Sequence, residues 1–262
     1  MTVTILGVPW DERSSFMRGA ALAPPAIRTA LHSPSSNLCT ESGVDLGSEP
    51  RLVDAGDLIL PAGGEALDAI DAGASRVLAR GTRLLALGGD HAITYPIVRA
   101  QVRVHGPLTI LHLDAHPDLY DAFEGDRYSH ACPFARIMEE GLARRLVQVG
   151  LRTATPHQRA QAHRFGVEMI DMPAWRPDLD LDLGPSVYVS LDLDVLDPAF
   201  APAVSHREPG GLSTREVTAL LQRLRGTVIG ADLVEFNPTR DGDGTTAMVA
   251  AKLLKELVAG ML

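Results

Sequence analysis

Short apolar runs recur along the whole chain, and segments with a helical pattern separate most of them. Each run is four to seven residues long and rich in Val, Ile and Leu, which is typical of buried parallel strands. The eight runs lie at residues 3–8, 51–55, 83–87, 108–113, 146–150, 167–170, 187–191 and 227–233. Helices are predicted at residues 24–31, 64–80, 94–104, 133–141, 155–165, 213–223 and 244–260. The alternation predicts an α/β fold with a mainly parallel sheet covered by helices, either doubly wound or closed into a barrel.

A chain of 262 residues could form one large α/β domain or two smaller ones, and 45% hydrophobic residues can bury a sizeable core. No sequence repeat or convincing linker divides the chain, so we expect a single domain over residues 1–262. A formal net charge of −9 repels nucleic acid and anionic membranes, so a cationic small molecule is the expected partner. Only Cys39 and Cys132 are present, too few for a disulfide framework or a thiolate zinc site. No secretory signal or membrane span is visible, and we expect a soluble cytoplasmic protein.

Acidic and imidazole side chains cluster where the apolar runs end. Asp114, His116 and Asp118 follow the run at 108–113 at alternate positions, so an extended backbone points them to one side. Asp192 and Asp194 form a second such pair after the run at 187–191. His91 and Glu235 each lie just past the end of another predicted strand. Ligand sites of α/β proteins are built at this position, and we expect these side chains to converge there.

Isolated polar residues near strand ends have simpler interpretations. His112 lies inside an apolar run and is expected to be a hydrogen-bonded core residue, while Asp90 and Asp197 are each expected to cap the helix that follows them. A group of carboxylates on one face is different, because their mutual repulsion requires cations between them.

Two imidazoles and four carboxylates without a thiolate favour Mn²⁺, with Fe, Co, Ni or Zn as alternatives. Six ligands exceed what one catalytic ion with an open position needs, and a pair of bridged ions uses them better. The predicted ligands are His91, Asp114, His116, Asp118, Asp192 and Asp194.

The chain resembles the ureohydrolase family of arginases and agmatinases. The resemblance rests on GGDH at 88–91, DAHPD at 114–118, SLDLDVLDPAFAP at 190–202 and EFNP at 235–238. The segments at 114–141 and 205–212 are most similar to the plant-type arginase branch and its bacterial relatives. This resemblance implies a three-layer αβα fold with a central, mainly parallel eight-stranded sheet, two Mn²⁺ ions per chain, and hydrolysis of a guanidino group to urea and an amine. It also implies a homotrimer or homohexamer.

The resemblance further assigns roles to individual positions. His130 matches the family's proton-shuttling histidine, and Glu235 matches the carboxylate that anchors the guanidinium. The bridging carboxylates would be Asp118 or Asp114 together with Asp192, which places Asp118 among the catalytic residues. Many bacterial agmatinases carry GTGTPE where this chain has residues 203–208, so the loop there differs.

The substrate tail is predicted from the loop at 119–130, which leaves the DAHPD segment and returns with His130. The loop carries an acidic excess, including Asp121, that suits the free ammonium of agmatine, whereas Arg127 and Ser129 could serve an arginine carboxylate. Ala154 cannot hold an α-amino group as the acidic residue of animal arginases does. We therefore expect agmatine, with Asp121 and Ser129 as substrate contacts, and arginine as the alternative.

Four other functions remain open from the sequence. Another guanidino-acid hydrolase would use the same residues on a different tail. A one-zinc deacetylase would not require His91 and Asp118. A thiol enzyme would depend on Cys132, whose simpler interpretation is a small packing residue. A non-catalytic metal-stabilised scaffold would need neither His130 nor Glu235.

Overall fold

The computed structural model describes residues 1–262, and its eight strands form one open, entirely parallel sheet. The strands are β1 Val3–Val8, β2 Leu52–Asp57, β3 Arg83–Gly88, β4 Leu108–Leu113, β5 Ala143–Leu151, β6 Glu168–Asp171, β7 Ser186–Asp192 and β8 Thr227–Val234. Their order is β2-β1-β3-β8-β7-β4-β5-β6. The barrel alternative is therefore wrong, because β2 and β6 are free edges.

Seven α-helices cover the sheet on both faces. They are α1 Ala23–Leu31, α2 Glu65–Leu78, α3 Thr94–His105, α4 Pro133–Glu139, α5 Pro156–Phe165, α6 Thr214–Gln222 and α7 Thr245–Met261. A capping box begins α6: Ser213 Oγ accepts from the backbone N–H of Glu216, and the Glu216 side chain accepts from the backbone N–H of Ser213. None of the helices combines the length and apolar character that a membrane crossing requires.

Two hydrophobic cores make the three layers. One core packs α1, α6 and α7 against one face of the sheet, and the other packs α2, α3 and α4 against the opposite face. Alternate strand residues supply the two cores: Leu85 and Leu87 enter the first, while Leu84 and Ala86 enter the second. The strands read as continuous apolar runs because both faces are buried.

The outer strands differ from the sequence expectation of burial. Five of the six β2 residues are exposed and β6 is only half-buried, since each lies at an edge with fewer neighbours. The chain also inserts β7 and β8 between β3 and β4. This insertion places the carboxyl ends of β3, β8, β7 and β4 side by side.

Candidate active site

The four central strands deliver the candidate residues to one edge of the sheet. His91 follows β3, Glu235 follows β8, Asp192 ends β7, and Asp114 follows β4. Adjacent strands are in register here, with Asp192 opposite Val234 and Leu191 opposite Leu113. All six predicted ligands are brought together, and His116 is the most exposed of them.

Three carboxylates surround the ring of His91. Its Nδ1 lies 3.2 Å from Asp114 Oδ2, 3.0 Å from Asp118 Oδ2 and 3.2 Å from Asp192 Oδ2. The imidazole is fully buried, yet Nδ1 makes no hydrogen bond. His91 Nδ1 and the three carboxylate oxygens thus lie close together around a common point.

A second set forms around His116. Its Nδ1 lies 2.9 Å from Asp194 Oδ2 and 3.3 Å from Asp114 Oδ1. Asp114 therefore presents one oxygen to each histidine, whereas Asp118 contacts only the His91 set. Asp194 is fixed by the backbone N–H of Ala115, which donates to its Oδ1 over 3.0 Å.

Buried hydrogen bonds behind the site orient these ligands. Ser190 Oγ donates to Asp232 Oδ1 over 2.6 Å and lies 3.0 Å from His91 Nε2. Because the hydroxyl proton is directed at Asp232, His91 donates from Nε2 and its Nδ1 faces the carboxylates. His112 Nε2 lies 2.8 Å from Asp114 Oδ2, and Gln148 Nε2 donates to the other ring nitrogen of His112.

The donor set fits divalent metal ions. An unpartnered buried nitrogen beside three carboxylates is unfavourable unless a cation lies between them. Metal–ligand bonds of about 2.0–2.2 Å separate neighbouring donors by about 3 Å, and the observed spacings of 2.9–3.3 Å agree. Oxygen and imidazole donors without sulfur suit Mn²⁺ and its neighbours.

Glu235 and His130 lie beside the metal-type cluster. Glu235 Oε1 accepts from the backbone N–H of His91 over 2.9 Å and lies 3.5 Å from His130 Nδ1. Its Oε2 accepts no hydrogen bond within the protein. Although burial opposes the charged imidazole, contact with the Glu235 carboxylate raises the pKa of His130 to about 9. A cationic substrate can therefore meet a free carboxylate oxygen and a protonated histidine.

Backbone strain is concentrated around the site. Asp118 has φ 49° and Glu235 has φ 65°, in the left-handed region that residues other than glycine seldom adopt. The preceding GGDH turn is equally constrained, because a Cβ on Gly89 would lie 1.7 Å from the Trp10 carbonyl oxygen. The carbonyl of Gly89 also accepts from the Glu235 N–H, which ties the two motifs together.

A cavity of about 180 Å³ opens over the cluster. Its acidic lining consists of three predicted metal ligands and Glu235. The wall beyond them is neutral or aromatic. It includes Ser15, Tyr120, Phe123, Thr153, Thr155, Gln158 and His206.

The Arginase family model matches residues 1–260. The chain belongs to the arginase family. Arginase 1, mitochondrial, of Oryza sativa subsp. indica is 51% identical over 272 residues, which cover 97% of this chain and 80% of that protein. The N(1)-aminopropylagmatine ureohydrolase of Thermus thermophilus is 39% identical, with 99% and 92% covered. A solved arginase from Medicago truncatula has a TM-score of 0.94 at 45% identity, covering 99% and 87%.

The predicted membership of the ureohydrolase family, the three-layer α/β fold and the hydrolase class are thus confirmed. The chain is an arginase-family hydrolase of guanidino compounds. The deacetylase and thiol-enzyme alternatives lose their support. Cys132 is buried, its thiol is directed at the Asp126 carbonyl, and burial raises its pKa to about 12.

Two expected substrate contacts of this arginase-family site lie elsewhere. The side chain of Asp121 is about half exposed and pairs with Arg127 and Arg136 at 2.7 and 3.1 Å, and it does not line the cavity. Ser129 is buried, and its Oγ accepts from the backbone of Ala131. Arg127 is also paired with Glu139, which leaves no free guanidinium for a carboxylate.

The simpler interpretations agree with the contacts of Asp90 and His112 but not with those of Asp197. Asp90 accepts from the Ala92 N–H at the start of a helical turn. Asp197 caps no helix: it accepts from the backbone of Ala199, Gly210 and Gly211 and stabilises a loop. His112 is hydrogen-bonded through both ring nitrogens.

Ser15 and His206 line the arginase-family cavity but are absent from the sequence prediction. Ser15 Oγ lies 2.8 Å from His130 Nε2, and the His206 ring stacks on that of His130 with centroids 5.1 Å apart. Neither residue follows a predicted strand, and the sequence contains no other feature that indicates a role for Ser15. His206 lies in residues 203–208, where the chain differs from the GTGTPE sequence of many bacterial agmatinases, and this difference is the feature that could have indicated it.

Proposed function

We propose that this protein is an arginase, which hydrolyses arginine to ornithine and urea with two Mn²⁺ ions. The observation that carries the choice of arginine is the neutral cavity wall at the start of α5. Sequence identity of 51% to plant arginases over nearly the whole chain supports the same choice.

We assign His91, Asp114, Asp118 and Asp192 to one ion and His116, Asp114 and Asp194 to the other. Asp114 would be the carboxylate shared by the two sites in place of Asp118, because only Asp114 presents an oxygen to each histidine. Asp192, the other predicted bridging carboxylate, presents Oδ2 to His91, while its Oδ1 accepts from the Asp194 N–H. When bound, the ions supply hydroxide from water at neutral pH and polarise the guanidino group.

The remaining chemistry belongs to Glu235 and His130. Glu235 Oε2 binds the guanidinium by charge-assisted hydrogen bonds, because Oε1 is already engaged by the His91 backbone. His130, protonated at neutral pH beside this carboxylate, passes a proton to the departing amine. Urea leaves uncharged, and the amine leaves as an ammonium ion.

The tail of the substrate lies against the start of α5. Thr155 caps this helix, and Gln158 uses its Oε1 for Thr155, so its amide N–H groups have no protein partner. The helix N-terminus and these donors favour the carboxylate of arginine and disfavour the terminal ammonium of agmatine. The acidic excess of the 119–130 loop does not oppose this choice, since Asp121 and Asp126 are already paired with arginines.

Agmatine is the second candidate, because the cavity offers no carboxylate for the α-ammonium of arginine beyond Glu235 and the metal cluster. Urea release from arginine, agmatine and N(1)-aminopropylagmatine, each with Mn²⁺, tests the choice. We expect kcat/KM for arginine to exceed that for agmatine by at least tenfold, and the reverse order would overturn the assignment.

A matched pair of variants sharpens this experiment. Gln158→Ala removes a donor from the cavity wall and is expected to raise KM for arginine without changing KM for agmatine. Gln161→Ala removes a buried amide from the same helix outside the cavity and serves as the control. Equal effects of Gln158→Ala on both substrates would refute the carboxylate contact. The implied homotrimer or homohexamer stays a prediction, measurable by light scattering.

A further inference from the structure

The segment 13–17 lies directly against the imidazole of His130. The backbone N–H of His130 donates to the Arg13 carbonyl over 3.3 Å, and Ser15 Oγ lies 2.8 Å from Nε2 of the His130 ring. The other ring nitrogen faces Glu235 at the longer distance of 3.5 Å. Ser15 therefore makes the shortest polar contact of the ring.

The segment is fixed to the protein at both ends. Asp90 Oδ2 accepts from the Arg13 N–H over 3.0 Å and from Ser14 Oγ over 3.2 Å. Beyond Ser15, the Met17 carbonyl accepts from Asn237 Nδ2 and Ser205 Oγ, both over 2.8 Å. The position of the Ser15 hydroxyl is thus determined by buried partners on both sides, although Ser15 itself is exposed.

The face of the His130 ring is covered as well. His206 stacks on it with planes 19° apart. Stacking limits tilting of the ring, but it does not distinguish the two states related by a half-turn about the Cβ–Cγ bond, because both present the same face. Only a polar contact at the ring edge favours one of these states, and Ser15 provides one.

We propose that Ser15 is a positioning residue that fixes the flip state of His130, and the tautomer of the neutral ring left after proton transfer, by accepting a hydrogen bond from Nε2–H. This inference rests on the proposed proton-transfer role of His130. With Nε2–H held by the hydroxyl, Nδ1 is the nitrogen directed at Glu235 and the bound guanidinium. The same logic orients the base of a catalytic triad through its second nitrogen.

Ser15→Ala tests the proposal with Ser15→Thr as the conservative variant. Removing the hydroxyl is expected to lower kcat about tenfold with KM within about twofold, and threonine is expected to restore kcat to within about threefold. Ser14→Ala removes a neighbouring hydroxyl that does not touch His130 and controls for general loosening of the segment. The Mn²⁺ content of each variant is measured in parallel and is expected to be unchanged.

A double-mutant cycle shows whether Ser15 acts through His130. In a His130→Ala background, Ser15→Ala is expected to cause no further loss of kcat. An equal tenfold loss in both backgrounds would overturn the proposal. The pH profile of kcat should also shift in Ser15→Ala and not in Ser14→Ala. The other groups near the ring (Glu235, Asp118, Asp90 and His206) are the same in every variant.

Carbethoxylation of His130, followed by peptide mass spectrometry, gives a readout that does not depend on turnover. Only an unprotonated ring nitrogen reacts, and Nε2 keeps its proton while the Ser15 hydroxyl holds it as a donor. Without the hydroxyl the neutral ring can expose an unprotonated Nε2, and the modification rate is expected to rise several-fold in Ser15→Ala but not in Ser15→Thr. An unchanged rate would overturn the positioning role. If His130→Ala retains full kcat, the proposed function of His130 fails, while this rate still decides whether Ser15 holds the ring.

Discussion

Asp114 faces both histidines of the candidate metal centre, whereas Asp118 and Asp194 each face one. Replacing aspartate by asparagine keeps the side-chain shape and removes the charge. Asp114→Asn is therefore expected to weaken two ion sites, and Asp118→Asn only the site at His91.

The size of the effect follows from mass action. An ion present at 100 times its Kd stabilises the folded state by about 2.7 kcal/mol, and two ions by about 5 kcal/mol. A chain of 262 residues has an unfolding entropy near 0.55 kcal/mol per kelvin, so saturation raises Tm by about 10 °C. If a substitution raises Kd about 100-fold at the same ion concentration, ion binding at the affected site stabilises the folded state by only about 0.4 kcal/mol. The Mn²⁺-induced shift should then be about 6 °C for Asp118→Asn and about 1–2 °C for Asp114→Asn.

Thermal unfolding with a chelator and with Mn²⁺ measures these shifts, and metal analysis counts the ions. Asp121→Asn is the matched control, because the same substitution at an exposed carboxylate outside the cluster should keep the full shift. Identical shifts in the Asp114 and Asp118 variants would refute the shared-carboxylate argument. A wild-type protein whose Tm does not respond to Mn²⁺ would refute the metal centre itself.

Three further predictions follow from single contacts. The Glu235→Gln variant should keep both metal ions and lower kcat/KM by about 10- to 150-fold, since a hydrogen bond to a charged group contributes about 1.5–3 kcal/mol. Steady-state kinetics combined with metal analysis measures both quantities, and loss of an ion from the variant would contradict the prediction. Iodoacetamide at pH 8 should label exposed Cys39 but not Cys132, whose pKa is raised to about 12, and activity should persist; labelling of Cys132 with inactivation would restore the thiol mechanism. The raised pKa of His130 means that its pairing with Glu235 stabilises the fold fully below pH 6.5, and this stabilisation is lost as the pH rises through about 9. In the presence of a chelator, His130→Gln should therefore lower the free energy of unfolding by up to about 3 kcal/mol at pH 6 and by little at pH 10. Denaturant unfolding at the two pH values measures this difference.

The sequence predicted the elements well because their signals are local. Each of the eight apolar runs is a strand, since continuous Val, Ile and Leu suit a strand buried on both faces. The exception is the degree of burial of β2, which depends on its place at the edge and not on its own residues. Strand order carries no local signal, and periodicity alone left the barrel alternative open.

The site divides in the same way. The six metal-type residues could be found because they directly follow strands, and parallel strands end at one edge. Asp121 and Ser129 were assigned from the composition of a loop, and the loop's own arginines and backbone occupy both side chains. Ser15 reaches His130 from 115 residues away in the chain, a contact that only the folded arrangement creates.

The insertion of β7 and β8 between β3 and β4 has a consequence for synthesis of the chain. A ribosome releases β3 and β4 well before β7 and β8, so the centre of the sheet cannot close until the last third of the chain has emerged. Until then both inner strands have unpaired edges, which are prone to pairing with other chains. Such long-range closure slows folding, and the ion-binding edge forms only after Asp192 and Asp194 arrive. Metal loading is therefore a late event, and a chain that stops before β8 would expose the most aggregation-prone edges of the fold.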